Sequence, residues 1–265
     1  MTESERLLDP LIEGFLSESG EYKGIAIPDD VEGKRGLLRS LMNVRAPSPM
    51  DPELLGLQDR YLRERNLERG IVYCREIPTV EDGISIWQGD ITRLECDAIV
   101  NAANSQMLGC FRPCHSCIDN CIHTYAGVQL RLECDRIMGS YRSEFGNDYE
   151  QPTSVPIITD AYNLPSQKVI HVAGPIVYDR LDETLEEKLA DCYANSLELC
   201  RDNGLRSIAF CCISTGVYRF PSERAAEIAV DTVREWRDKN RGFVDRVIFN
   251  VFLDKDRCIY ERLLG

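Results

Sequence analysis

The sequence predicts an α/β protein: a three-layer α/β/α sandwich with a mixed, largely parallel central sheet, preceded by a helical N-terminal extension. Three observations predict it. From about Ile71 to the C-terminus, short apolar runs alternate with longer amphipathic stretches, the texture of a sheet layered with helices. One run, residues 207–214 (SIAFCCIS), is nearly continuous in apolar residues, as expected of a central strand covered on both faces. Before Ile71, apolar residues recur only at helical spacing.

In the extension, residues 1–75, Leu8, Leu11, Ile12, Phe15 and Leu16 share one helical face, and Leu37, Leu38, Leu41 and Met42 another. Residues 46–50 (APSPM) interrupt with two prolines, and a third helix carries Leu54, Leu55, Leu57, Tyr61 and Leu62. No titratable cluster here suggests chemistry. The extension reads as a layer packed on the main domain, or else as a partner-binding or substrate-selecting cap. In the main domain, residues 76–265, Ile84 and Ile86 mark a strand that leads to Gly89 and Asp90. Ala98, Ile99 and Val100 mark a buried strand, and residues 155–159 and 169–172 two more. A helix begins near Ile118. Residues 181–203 are helical, with Leu185, Leu189, Cys192, Leu197 and Cys200 on or near one face. Residues 221–239 form a helix with Pro221 in its first turn, where proline is tolerated. A strand at 246–253 and a helix at 255–264 close the chain.

Composition narrows the function. The 265 residues are 28% charged and 43% hydrophobic, an ordinary globular balance. No apolar run approaches the roughly 18 residues of a membrane span, and the acidic N-terminus lacks a signal-peptide core, so a cytoplasmic protein away from membranes is expected. The net charge of −13 argues against nucleic acid, which demands a basic surface. A small phosphate ligand stays open, because backbone amides bind phosphate without net positive charge. Twelve cysteines in such a chain point to metal or thiol chemistry rather than disulfides.

The densest chemistry lies in residues 97–127. A strand ends at Asn101 and Asn104, a loop rich in Cys and His follows, and a helix begins; open α/β sheets bind ligands at such a junction. Cys110, His115 and Cys117 are thiol and imidazole groups of the kinds zinc prefers, and Pro113 bends the loop so that Cys110 can approach the later pair. Three ligands with a fourth position open would be a catalytic arrangement. Cys114 is the candidate that would close it, and a cluster of reduced core thiols is the plain alternative. Asp119, at the start of the helix, reads equally as a catalytic carboxylate or as a helix cap. Asn101 either meets ligand or holds the loop. His123 and His171 read as satisfied structural histidines. Ser214, Thr215, Gly216, Val217 and Tyr218 follow the central strand, and a glycine there lets amides approach a diphosphate closely. Phe252 either stacks on a base or belongs to the core. Cys74, Cys96, Cys121, Cys134, Cys192, Cys200, Cys211, Cys212 and Cys258 read as reduced packing residues.

In order along the chain, GDIT (89–92), DAIVNAAN (97–104), CIDNCIHTYAG (117–127) and ISTGVYRFP (213–221) resemble the signatures of the macrodomain, the ADP-ribose-binding α/β module. The resemblance covers about residues 80–265. Within the family, the chain resembles the ADP-ribosyl hydrolases. Its LGCFRPCHSC, in place of the usual Gly-rich loop, resembles that of the zinc-dependent members, which also carry a helical extension. The resemblance implies one zinc per chain on Cys110, His115 and Cys117. It implies adenine read by Asp90 and the Ile91 backbone, with Phe252 beside it. The diphosphate would lie along residues 214–218 and Cys117 and Ile118, and the distal ribose would be oriented by Asn104. Cys117 stands where metal-independent relatives have glycine, with Asp119 in register with their catalytic aspartate; Arg219 replaces a frequent glycine.

The expected activity is therefore removal of single ADP-ribose units from protein side chains, preferably O-linked Asp or Glu, by Asn104 and Asp119 beside zinc. The resemblance further implies, as partner, a lipoyl-carrier-like protein modified by a sirtuin-type transferase. Two rivals remain: a reader that binds ADP-ribose around a closed structural zinc, and a deacetylase of O-acetyl-ADP-ribose.

Overall fold

A computed structural model describes residues 2–265. The first three helices are α1 (Glu3–Ser17), α2 (Val31–Val44) and α3 (Pro52–Arg69), each started by a side-chain cap. Thr2 and Glu5 form a capping box on α1, and Asp30 and Asp51 accept from first-turn amides of α2 and α3. These helices enclose a core of their own that includes Leu8, Leu11, Phe15, Leu38 and Leu62. Helical spacing had marked those residues.

The strands follow in the order β1 (Val72–Tyr73), β2 (Thr79–Glu81), β3 (Ile84–Gln88), β4 (Leu94–Glu95), β5 (Ala98–Ala103), β6 (Ile157–Asp160), β7 (Lys168–Ala173), β8 (Ser207–Phe210) and β9 (Arg246–Val251). β1 and β4 form a small parallel pair. The other seven make one mixed sheet, ordered β2-β3-β9-β8-β5-β7-β6, with antiparallel edges β2 and β6 and five parallel strands between. The remaining helices are α4 (Ile118–Ala126), α5 (Val128–Phe145), α6 (Glu183–Asp202), α7 (Ser222–Lys239) and α8 (Asp254–Leu264).

Topology assigns the layers. The crossover from β5 to β7 moves one way across the sheet, and those from β7 to β8 and β8 to β9 move the other way. Right-handed connections then put α4 and α5 on one face and α6 and α7 on the opposite face, where α7 touches both α6 and α8. The extension lies outside the first layer, with α2 and α3 against α4. Among the described residues no helix is long and apolar enough to cross a membrane.

Three differences from the sequence reading matter for the site. The central strand ends at Phe210, not at Ser214. β8 is paired to β5 only as far as Ile99↔Ala209, while β5 stays paired to β7 as far as Ala103↔Ala173, so the sheet parts between β5 and β8 at its C-terminal edge. Second, the helix at Ile118 stops at Gly127, whose φ of 98° ends it, and a further helix, α5, follows that the sequence reading did not mark. Third, Pro221 is the residue before α7 rather than part of its first turn.

Candidate active site

The crevice left between β5 and β8 is where ligands bind in open α/β sheets. Asn101 sits in its floor, fully buried. One amide hydrogen of Asn101 goes to Asp119 Oδ1 at 2.8 Å, and the other points at His171 Nδ1 at 3.1 Å. His171 Nε2 in turn lies 3.0 Å from Thr159 Oγ1. Burial holds the His171 pKa down at about 3, so the ring is neutral, with Nδ1 accepting from Asn101 and Nε2–H donating to Thr159. Asn101 is thus placed as a buried support under Asp119, bonded to Asp119 and His171 rather than to loop backbone.

Asp119 is not the helix cap. The residue in that position is Cys117, whose Sγ accepts from the Asn120 amide at 3.4 Å. Asp119 is 5% exposed, and burial raises its pKa to about 6, against the lowering effects of the Asn101 hydrogen bond and the Arg131 charge. His123 lies with Nε2 3.6 Å from Asp119 Oδ1, but burial keeps this imidazole well below its usual pKa and therefore neutral, so the two are not an ion pair. Neither ring nitrogen of His123 has a hydrogen-bond partner among the described residues. The histidine is structural in its burial and unsatisfied in its bonding, which corrects the expectation.

Residues 104–117 connect β5 to α4. Asn104 Oδ1 caps the turn by accepting from the Gln106 amide at 3.0 Å, and its Nδ2 reaches the Gly109 carbonyl at 3.3 Å. Gly109 takes a φ of 79°, and a Cβ there would stand 2.8 Å from the His123 ring. Beyond it the loop folds back as Pro113 suggested. Cys110, His115 and Cys117 bring their ligand atoms within 4.8 Å of one another. Cys110 Sγ and His115 Nδ1 are 3.6 Å apart. Sulfur at about 2.3 Å and nitrogen at about 2.0 Å from a tetrahedral zinc stand about 3.5 Å from each other, so the donor set and its spacing fit that ion. Cys114 turns away: its thiol lies 3.2 Å from Ser40 Oγ and 3.4 Å from the Gly36 carbonyl, both on α2. A second grouping, His123, Cys134 and His171, is wholly buried, with both His171 nitrogens already committed.

Sequence reading missed Asn120. It is fully buried, and its Nδ2 donates to the carbonyls of Arg112 (2.9 Å) and Cys110 (3.3 Å), tying the loop to α4. Its only sequence signal is a buried-register asparagine next to Asp119. Arg131 was also missed; from α5 its Nε donates to the Leu108 carbonyl at 2.8 Å.

The opposite wall is residues 212–220. Thr215 Oγ1 and N bond the Cys212 carbonyl, and Tyr218 O accepts from the Val177 amide at 2.9 Å. Among the described residues the amides of Gly216, Val217 and Tyr218 donate to no group of the chain, which leaves them available to an anion. Ser214 adopts φ 65° and is buried, with its Oγ unpartnered. Gly174 makes room for it, since a Cβ there would stand 2.1 Å from Ser214 Oγ and 2.8 Å from Ile213. Gly174→Ala is therefore expected to push the 213–218 wall outward, costing about 1–3 kcal/mol of stability and weakening ADP-ribose binding in calorimetry; an unchanged affinity would show that the wall adapts. Arg219 takes φ 59°, so the left-handed turn persists without glycine.

At the far end, Asp90 Oδ1 accepts from the Thr92 amide and hydroxyl, while Oδ2 is paired with Arg69 from α3. Arg69 also lies over the Tyr125 ring, 3.6 Å from its centroid. Ile91 is buried, and Phe252 is 71% exposed just past β9, so Phe252 is not a core residue. All twelve cysteines are free, and Cys258 and Cys114 are exposed rather than packed.

Comparison with known proteins decides the family. A Macro domain profile matches residues 100–229. A protein-ADP-ribose hydrolase of Treponema medium is 49% identical over 269 residues, covering 100% of both chains. The chain belongs to the macrodomain family. A protein-ADP-ribose hydrolase of Staphylococcus aureus (strain MRSA252) is 41% identical, over 96% of this macrodomain chain and 93% of its own. The crystal structure of a Trypanosoma brucei macrodomain in complex with ADP-ribose superposes with a TM-score of 0.64 at 27% identity, covering 85% of this chain and 95% of that one. The alignment with the hydrolases runs through the helical extension as well as the sheet.

Proposed function

We propose that this macrodomain removes ADP-ribose from modified proteins, with zinc held by Cys110, His115 and Cys117. The observation that carries this reading is the convergence of those three side chains at the N-terminus of α4, where Cys117 and the buried carboxylate Asp119 lie two residues apart. The hydrolase relatives support the activity. When bound, zinc would supply Lewis acidity, lowering the pKa of a water or polarising an oxygen of the ribose or leaving group.

The chain's own residues do the rest. Free amides of Gly216, Val217 and Tyr218 and the first amides of α4 hold the diphosphate, which explains phosphate binding in a protein of net charge −13. Asp90, clamped by Arg69 and Thr92, receives the adenine amine with one lone pair still open. Phe252 stands exposed near it to stack on the base. Asn104 orients the distal ribose, and Asp119, steadied by Asn101, positions water or a ribose hydroxyl for attack. An ester to Asp or Glu has the best leaving group among common linkages, so we assign O-linked ADP-ribose as the substrate and an acidic-side-chain acceptor on a carrier protein as the partner. The outward turn of Cys114 favours an open three-ligand site over a closed structural one.

The test offers the protein three substrates: a protein mono-ADP-ribosylated on Asp or Glu, one modified on Arg, and O-acetyl-ADP-ribose. Release of ADP-ribose from the first alone is expected. Tight ADP-ribose binding with no release from any of them would make the chain a reader, and preference for the acetyl ester would make it a deacetylase.

A further inference from the structure

The loop that carries Cys110, His115 and Cys117 makes few backbone bonds of its own. Within it, His115 N reaches Arg112 O at 3.3 Å and Met107 N reaches Asn104 O at 3.0 Å. With so few backbone bonds, the loop is held mainly by side chains. Asn120 of α4 and Arg131 of α5 hold some of its carbonyls, and a second set of fixing points lies on α2 of the extension. Arg39 Nη2 donates to the His115 carbonyl at 2.8 Å and to Asn120 Oδ1 at 2.8 Å, and lies 3.5 Å from Cys121 Sγ. One turn on, Asn43 is 1% exposed. Its Oδ1 accepts from the Cys114 amide at 2.9 Å, and its Nδ2 donates to Thr124 Oγ1 at 2.9 Å.

The chemistry of Arg39 is unusual for a helix surface. Among the described residues its partners are a carbonyl, an amide oxygen and a thiol rather than a carboxylate, and its Nε is buried without a bond. A partly desolvated cation directed at a backbone carbonyl and an amide oxygen ties α2 to α4 as well as to the loop. It does a great deal for the loop, because one nitrogen joins the residue carrying a ligand imidazole to the asparagine that pins the other side of the same loop. Residues 39 and 43 face the same way, being one helical turn apart.

We propose that the extension is a working part of the site: Arg39 and Asn43 are positioning residues that hold residues 110–117 in the ligand geometry. The proposal rests on the zinc reading for its metal arm and stands without it for its loop arm. Groups that orient a metal ligand typically govern about 10–100-fold in metal affinity.

The experiment compares Arg39→Ala, Arg39→Lys and Asn43→Ala with the native protein and with Lys34→Ala. Lys34 is on α2 but pairs with Asp9 of α1, so it controls for general weakening of the extension. Two quantities are read: the chelator concentration that strips half the zinc, and hydrogen exchange of the amides of 110–117 relative to those of β5. Arg39→Ala and Asn43→Ala are expected to lose zinc at about 10–100-fold less chelator and to exchange faster only in the loop. Arg39→Lys should fall between, and Lys34→Ala should match the native protein. Native-like zinc retention and loop exchange in both alanine variants would overturn the proposal. If the native protein takes up no zinc, the metal reading fails by itself, and loop exchange alone decides the role of Arg39 and Asn43.

Discussion

Cys117→Ser is expected to abolish zinc retention and to cut ADP-ribose release by at least the roughly 100-fold that losing an orienting partner of a metal ligand can cost. Serine is the informative replacement because Cys117 has two jobs. It caps α4, with Sγ accepting from the Asn120 amide, and it offers a sulfur to the cluster. A serine hydroxyl is a good helix cap but a poor substitute for a thiolate toward zinc. The variant should therefore unfold near the native temperature while zinc content and release collapse together. Loss of folding would mean that the cap had been the main role. Full zinc content with full release would remove Cys117 from the ligand set.

Asp119→Asn should cost about 100-fold or more in kcat, the range expected for loss of a positioned acid–base group, with ADP-ribose affinity and zinc content as in the native protein. The substitution keeps shape and the bond with Asn101 Nδ2, since the new amide oxygen can accept in place of Oδ1. What it removes is a carboxylate raised to about 6 by burial, a value suited to proton handling near neutrality. The split between kinetic constants carries the argument. A fall in kcat at constant KM assigns Asp119 to the reaction, whereas a rise in KM at constant kcat would make it a binding residue. A loss of stability with neither change would leave it as a support for α4.

Much of the architecture was legible because it rests on periodicity. Leu8, Leu11, Phe15 and Leu38 announce the extension's core, and the apolar run at 207–210 announces the central strand. The overshoot to Ser214 has a physical cause: apolar residues continue through Cys211 and Ile213, which stay buried after the chain has left the sheet. α5 went unseen because its apolar periodicity is weak, and Gly127, at positive φ, separates it from α4. In the site, the clustering of Cys110, His115 and Cys117 was legible and side-chain directions were not. β5 is buried on both faces, so alternation could not tell whether Asn101 faces ligand or interior, and it faces Asp119 and His171. Arg39 carries no signal of its own, because its role exists only through partners 76 to 82 residues away in sequence.

The extension deserves its place in any account of this family member. It supplies Arg69 to Asp90 at the adenine end and Arg39 and Asn43 at the cysteine–histidine end. The two ends of the cleft are thereby tied to one helical layer.

The most direct test of the central claim is release of ADP-ribose from an Asp- or Glu-modified protein, measured before chelation, after it, and after zinc is returned, with bound metal quantified at each stage. About one zinc per chain is expected, the stoichiometry of a single tetrahedral site, with release lost on chelation and restored by zinc. Undiminished release from metal-free protein would contradict the account and leave the reaction to Asn104 and Asp119 alone.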